Sequence, residues 1–253
     1  MNTLGVSLIA FAVIFAGAFA GVLLRRGLPE DHLAEGAKDV VRLGTGLIAT
    51  IAALVLGLLI ASAKSSYDTQ STQVRSLTAN IIVLDQVLAQ YGPQARESRD
   101  LLRRAVDPLA DRLWREKATG SAGGTPFEVS TAADATFSKI LELSPQTESQ
   151  RALKARAVQI VTDVAQIRLA LFVQSDSSIP MPFLIVLVFW LTIIFASFSL
   201  FSRLNPTLIA MLFVFALSAS GAIYLILEMS QPFAGLMQIS SAPLRDALAP
   251  LGP

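Results

Sequence analysis

The sequence predicts an all-α integral membrane protein in which four transmembrane helices, arranged as two pairs, flank a helical bundle outside the bilayer. Three observations carry this. Of 253 residues, 53% are hydrophobic and only 15% charged, whereas soluble domains are nearer a quarter charged. The apolar residues gather in four blocks that hold no Asp, Glu, Lys, Arg or His: residues 4–24, 43–63, 183–201 and 208–227. Each matches the roughly 20 residues that a helix needs to cross a bilayer core. Between the second and third blocks the apolar residues recur at helical spacing, and no strand pattern of any length appears.

Taken in order, residues 1–63 form the first transmembrane pair with a short polar loop. The first block could also be read as a secretory signal, because Ala18-Phe19-Ala20 resembles a cleavage site. No Lys or Arg precedes it and the apolar run continues to Leu24, so it is read as a span. In the loop, Leu28-Pro29-Glu30-Asp31 reads as a helix start, with proline at the first position and acids in the first turn. His32, the only histidine, sits on this stretch as a solvated side chain.

Residues 64–179 form the extramembrane domain, whose positive and negative charges nearly cancel. Val74, Leu77, Ile81, Leu84, Leu88 and Tyr91 follow alternating steps of three and four, an amphipathic stripe of coiled-coil type. With no breaker between Leu58 and Tyr91, the second span is expected to continue outward as one long helix until Gly92-Pro93 stops it. A helix over 93–116 follows, with Leu102, Val106, Leu109 and Leu113 facing inward and Pro108 kinking or dividing it. Residues 117–126 read as a flexible loop. Thr131 with Asp134 suggests a capping box, and Ser144-Pro145 the start of a helix carrying Leu153, Ala157, Ile160, Val164, Ile167 and Leu171 on one face. Residues 180–228 hold the second transmembrane pair. Residues 229–253 read as an interfacial turn and a short amphipathic tail. Glu228, against the end of the fourth span, is expected to sit among the headgroups.

Composition excludes several classes of function. A net charge of +1 argues against a nucleic-acid surface. The absence of cysteine removes disulfides and thiolate chemistry, and one histidine leaves no His-based metal or triad site in a single chain. No glycine-rich phosphate loop, G-x-S-x-G or HExxH occurs. The reading is therefore non-enzymatic, with no metal and no cofactor.

Two features of the spans are informative. Gly17 and Gly21 form a small-xxx-small pair of the kind that lets another helix approach closely, and this contact is expected to hold an oligomer together. On the second span Gly46, Thr50, Ala53, Gly57 and Lys64 share a narrow stripe at 3.6 residues per turn. Such a stripe is either a packing face or, with several copies round an axis, the lining of a lumen. In the second case the neighbouring face, including Leu56 and Leu59, would form an apolar constriction. Arg42 and Lys64 would then place positive charge at both mouths and favour anions; otherwise they are snorkelling anchors. Arg25 and Arg26 directly follow the first span, and basic residues favour the cytoplasmic side. This leans slightly toward an extramembrane domain outside the cytoplasm, in the periplasm of a bacterium, with the spans in the inner (plasma) membrane.

Residues 28–33 (LPEDHL), 41–50 (VRLGTGLIAT), 54–68 (LVLGLLIASAKSSYD), 84–92 (LDQVLAQYG) and 228–235 (EMSQPFAG) together resemble the bacterial bestrophin-like domain family, DUF4239. The resemblance implies a distant similarity to bestrophins, pentameric anion channels with two transmembrane pairs around a cytoplasmic helical domain. The bestrophin calcium clasp has no counterpart here, nor has the aromatic neck, since residues 43–63 contain no aromatic side chain. The cytoplasmic domain that the resemblance implies is opposite to the lean from Arg25 and Arg26. Two functions follow as expectations. One is a homo-oligomeric, anion-conducting channel of four or five copies. The other is a non-conducting membrane scaffold or sensor whose helical domain binds a partner.

Overall fold

The computed structural model describes residues 2–27, 29, 35–116, 131–174, 181–202 and 205–248. Among them secondary structure is helical throughout: α1 (Thr3–Gly27), α2 (Glu35–Tyr91), α3 (Arg96–Asp111), α4 (Thr131–Glu142), α5 (Glu148–Gln174), α6 (Met181–Phe201), α7 (Pro206–Met229) and the short α8 (Ala242–Arg245). The helix start at Glu30-Asp31 with His32, the loop over 117–126, and Arg203 lie outside the described residues. Among the described residues five helices are long and apolar enough to cross a membrane: α1, α2 over Lys38–Tyr91, α5, α6 and α7. That is one more than the four blocks of the sequence, because α5 also qualifies, as the least apolar of the five.

The chain divides into two compact units, Met1–Ser66 with Ile179–Ser230, and Tyr67–Ser178 with Gln231–Pro253. The first contains α1, the first part of α2, α6 and α7. Helices in lipid gain nothing from hiding apolar surface from one another, so close fit must hold them. Ala10, Ile14, Gly17, Ala18 and Gly21 form the buried face of α1. Phe11 and Phe15 bring their rings edge-on to Phe213 of α7, with centroids 5.4 and 5.9 Å away.

The second unit is a bundle with its own core. The stripe Val74, Leu77, Ile81, Leu84, Leu88 and Tyr91 is buried throughout, against Leu102 and Val106 of α3, Ile140 of α4 and Ile160 and Leu171 of α5. Burying a large aliphatic side chain completely from water is worth roughly 1.5–3 kcal/mol. α2 runs unbroken for 57 residues and ends where Gly92 takes φ 113°, a left-handed conformation that suits glycine. Pro108 does not divide α3, which continues to Asp111; the irregularity comes later, as a π-turn over Arg112–Glu116.

α5 does not start at Ser144-Pro145. Its cap is Thr147, whose Oγ1 accepts the Gln150 backbone N–H at 3.2 Å. The Gln150 side chain reaches back to accept the Gln146 N–H and donates to the Tyr91 carbonyl. A T-x-x-Q box thus serves the start of α5 and the end of α2 together. The tail is likewise not a free amphipathic segment. Phe233, Leu244, Ala247 and Leu248 belong to the buried core. Trp114 meets the Phe233 ring edge-on at 5.4 Å and donates its indole N–H to the Ile239 carbonyl at 2.7 Å.

The bundle also holds an ion pair that periodicity did not reveal. Asp85, 1% exposed on α2, accepts both arms of the Arg99 guanidinium, at 2.9 and 2.8 Å. The hydrogen bond to Asp85 raises the already high pKa of Arg99. The fork ties α2 to α3 across the Gly92 turn.

Candidate pore face

Within the first unit, α1 and α6 run parallel. Gly17 lies against Thr192, Gly21 against Ala196, and Arg25 donates to the Ser202 carbonyl just past the end of α6. A Cβ on Gly17 would stand 2.6 Å from Thr192 Cγ2 and 2.8 Å from its carbonyl oxygen. A Cβ on Gly21 would meet the Ala196 backbone more closely still. The small-xxx-small pair therefore serves a contact within one chain, which corrects the expectation that it holds copies together.

α7 runs antiparallel to α1, and a polar seam crosses their contact. Ser220 donates to the Ser7 carbonyl at 3.2 Å, and Thr3 Oγ1 donates to Glu228 at 2.7 Å. Glu228 is 2% exposed, so it is part of the helix packing and not a headgroup anchor. Thr3 sits at the beginning of α1 and Glu228 at the end of α7, an antiparallel match that the linear sequence does not display.

α2 presents the opposite situation. Gly46, Thr50, Ala53 and Gly57 are all exposed in the single chain, and a Cβ at Gly46 or Gly57 would meet no described atom within 4 Å. Large side chains flank this face in the open, Leu54 at 70% and Leu58 at 66% exposure. The other face is closed: Thr45, Ala52, Leu59 and Ala63 are buried. Leu59, at 6% exposure, is covered by the chain itself and leaves the candidate lining; Leu56 is half-buried at the margin. Leu59, two turns after Ala52 and one before Ala63, shares their buried face. Arg42 and Lys64 are exposed at the two ends of the segment. Thr50 satisfies its hydroxyl on its own helix, donating to the Gly46 carbonyl at 3.0 Å, so the open face carries no unmet polar demand.

Among the described residues no group of three or more His, Asp or Glu could hold a metal ion. Several long apolar helices, close helix contacts and an engaged interior glutamate define the class of multi-pass helical membrane proteins. The family model for the bestrophin-like domain matches residues 12–244, and the chain belongs to that family. Its membership suggests a membrane channel class. No curated protein and no solved structure matches the sequence.

Proposed function

We propose that the chain is a homo-oligomeric, anion-conducting channel of a bacterial plasma membrane, in which α2 from each of four or five copies faces a central axis. One observation carries this reading: the Gly46, Thr50, Ala53 and Gly57 face is open, whereas the glycine pair on α1 is already occupied by the chain's own α6. Of the helices apolar enough to span, α2 is one of the two least covered by its own chain. Arg42 and Lys64 put positive charge at both ends of the face, the sign that attracts chloride and similar anions.

The proposal includes four crossings. α1 and α6 pack in parallel, and a chain that crosses out on α1 and back on α2 begins α6 from its starting side. A fifth crossing on α5 would start α6 from the other side and make it antiparallel to α1. The stripe of α5 also packs in the bundle core, which supports placing this helix outside the bilayer. Reporter fusions at Gly124 and at the C-terminus should share one side and a fusion at Gly36 the other; agreement between Gly36 and Gly124 would refute this topology. The domain is proposed to face the periplasm on the charge of Arg26 especially, since Arg25 is engaged at the end of α6.

The decisive experiment is the reversal potential of the purified protein in planar bilayers across a salt gradient. Chloride should be preferred to sodium, and Lys64→Glu should weaken that preference, because it reverses a charge within a Debye length, about 8 Å at physiological salt, of passing ions. Particle images showing a sealed dimer with no axial lumen would overturn the channel in favour of a non-conducting scaffold whose helical unit binds a partner.

A further inference from the structure

The bundle unit buries most of its large apolar side chains. Among the described residues those it exposes are Val83, Leu141, Leu169, Val173, Leu236 and Met237. The three most exposed are Leu169 at 52%, Val173 at 64% and Leu236 at 83%. All three lie where the chain approaches a span or has just left one. Leu169 and Val173 occupy the end of α5, the helix before α6. Leu236 follows Met229, the last residue of α7, after only Ser230 to Gly235. Even fully extended that connection reaches about 25 Å, and a turn from Gln231 to Ala234 shortens it. Nor is Leu236 on a loose tail. The Ile239 N–H donates to the Pro232 carbonyl at 2.7 Å and closes a loop at its base. Trp114 donates to the Ile239 carbonyl, and Phe233 is buried in the bundle core. At the tip Gly235 takes φ 84°, a reversal that suits glycine, and Leu236 and Met237 are left exposed. Residues 229–244 hold no charged side chain, and Arg245 after them is paired with Asp111.

We propose that Leu236 and Met237 are the tip of a membrane-anchoring loop, inserted into the lipid interface on the bundle's side of the bilayer. A stable protein contact buries about 800 Å2 on each partner, far more than two side chains on a narrow loop present. A lipid interface asks for no matching shape, because each apolar side chain gains simply by leaving water. An uncharged segment has no hold on anionic headgroups, so the apolar part of the interface is what the tip meets. Fixed at its base by Trp114 and Phe233, the loop gives the bundle a footing on the membrane surface. The inference rests on the proposed placing of the bundle outside the bilayer; it does not depend on conduction.

The chain has no cysteine, so Leu236→Cys and, separately, Leu141→Cys each offer one attachment point for a polarity-sensitive fluorophore. The labelled full chain is placed in phosphatidylcholine nanodiscs, which leave both membrane faces open to solvent. Quenching by a spin label carried on the lipid chain just below the headgroup is compared with quenching by aqueous iodide. At Leu236 the emission should shift to the blue, with lipid-borne quenching several-fold stronger than at Leu141 and iodide quenching several-fold weaker. Iodide quenching as strong as at Leu141, with none from the lipid, overturns the anchor. Shielding from both quenchers, with disulfide-linked copies formed by unlabelled Leu236→Cys, assigns the tip to a second copy and overturns it too. Lipid quenching at both positions puts the bundle itself in the bilayer, so the topology falls and the inference with it. Met237→Cys repeats the measurement on the neighbouring side chain, so the outcome is read even if Leu236→Cys fails to fold.

Discussion

α1 and α2 each carry glycines within an uncharged apolar run, and two pairs of them, Gly17 with Gly21 and Gly46 with Gly57, meet opposite fates. On α1, Gly17 and Gly21 are buried so closely against Thr192 and Ala196 that no side chain fits. On α2, Gly46 and Gly57 look onto open space while the far side of the same helix is buried. A small residue in a membrane helix thus has two uses. It lets a neighbour's backbone approach, or it keeps a face low for something that the single chain does not supply. Spacing alone does not tell which, because the four-residue step of Gly17 and Gly21 and the stripe from Gly46 to Gly57 both follow from the helical repeat.

The largest expected effect breaks the closed face. Gly17→Leu with Gly21→Leu places two branched side chains into α6 backbone, where nothing flexible can yield. Folded protein should be almost absent on size-exclusion chromatography in mild detergent. The matching pair on the open face, Gly46→Leu with Gly57→Leu, should leave the single chain folded. Survival of the α1 pair with an unchanged melting temperature would show that α1 and α6 do not approach as described.

The second effect concerns the polar seam on the closed face. Glu228→Leu removes the acceptor of Thr3 Oγ1 and leaves that donor unpaired, a cost of about 1–3 kcal/mol. Glu228→Gln keeps an acceptor in place and should cost much less. Thermal unfolding in detergent separates them: a clear drop for leucine and a small one for glutamine. Equal drops would mean that the charge, not the hydrogen bond, is what the seam requires.

Much of the architecture was legible beforehand because it rests on length and period. The four uncharged blocks coincide with α1, the first part of α2, α6 and α7, and the stripe from Val74 to Tyr91 lies wholly in the bundle core. What escaped were partners far apart in the chain. Glu228 reads as a headgroup anchor until Thr3 is beside it, and Phe233 and Leu244 read as an interfacial tail until Trp114 packs there. Leu59 follows Gly57 by only two residues, yet it is covered while Gly57 is open. The angular difference between them is large enough to separate the two faces of α2, but only the neighbours decide which face is which. Thr147 was missed in favour of Ser144 because both precede a plausible helix; Gln150, three residues on from Thr147, was the available signal.

A third prediction tests the open face by function. Gly57→Leu adds bulk where the single chain has room, so its melting temperature as a dissociated chain should not fall. In planar bilayers the same change should lower unitary conductance several-fold if the face lines a lumen. If the face instead packs against another copy, it should shift the assembled fraction and leave no current to measure.

The smallest effect is expected at Thr50, and it isolates polarity from bulk. Its hydroxyl already donates to the Gly46 carbonyl on its own helix, so Thr50→Val, nearly equal in volume, should change the stability of the single chain by less than about 1 kcal/mol. A valine there keeps the shape of the face but removes the one side-chain oxygen among Gly46, Thr50, Ala53 and Gly57. The water that hydrates a passing ion would lose the hydroxyl oxygen as an acceptor, and conductance should fall modestly with no change in assembly. A packing face responds in the other direction: apolar contact between copies improves slightly and the oligomer persists to higher detergent concentration. Measuring both quantities on one preparation therefore distinguishes a lumen from a seam by polarity, as Gly57→Leu does by bulk.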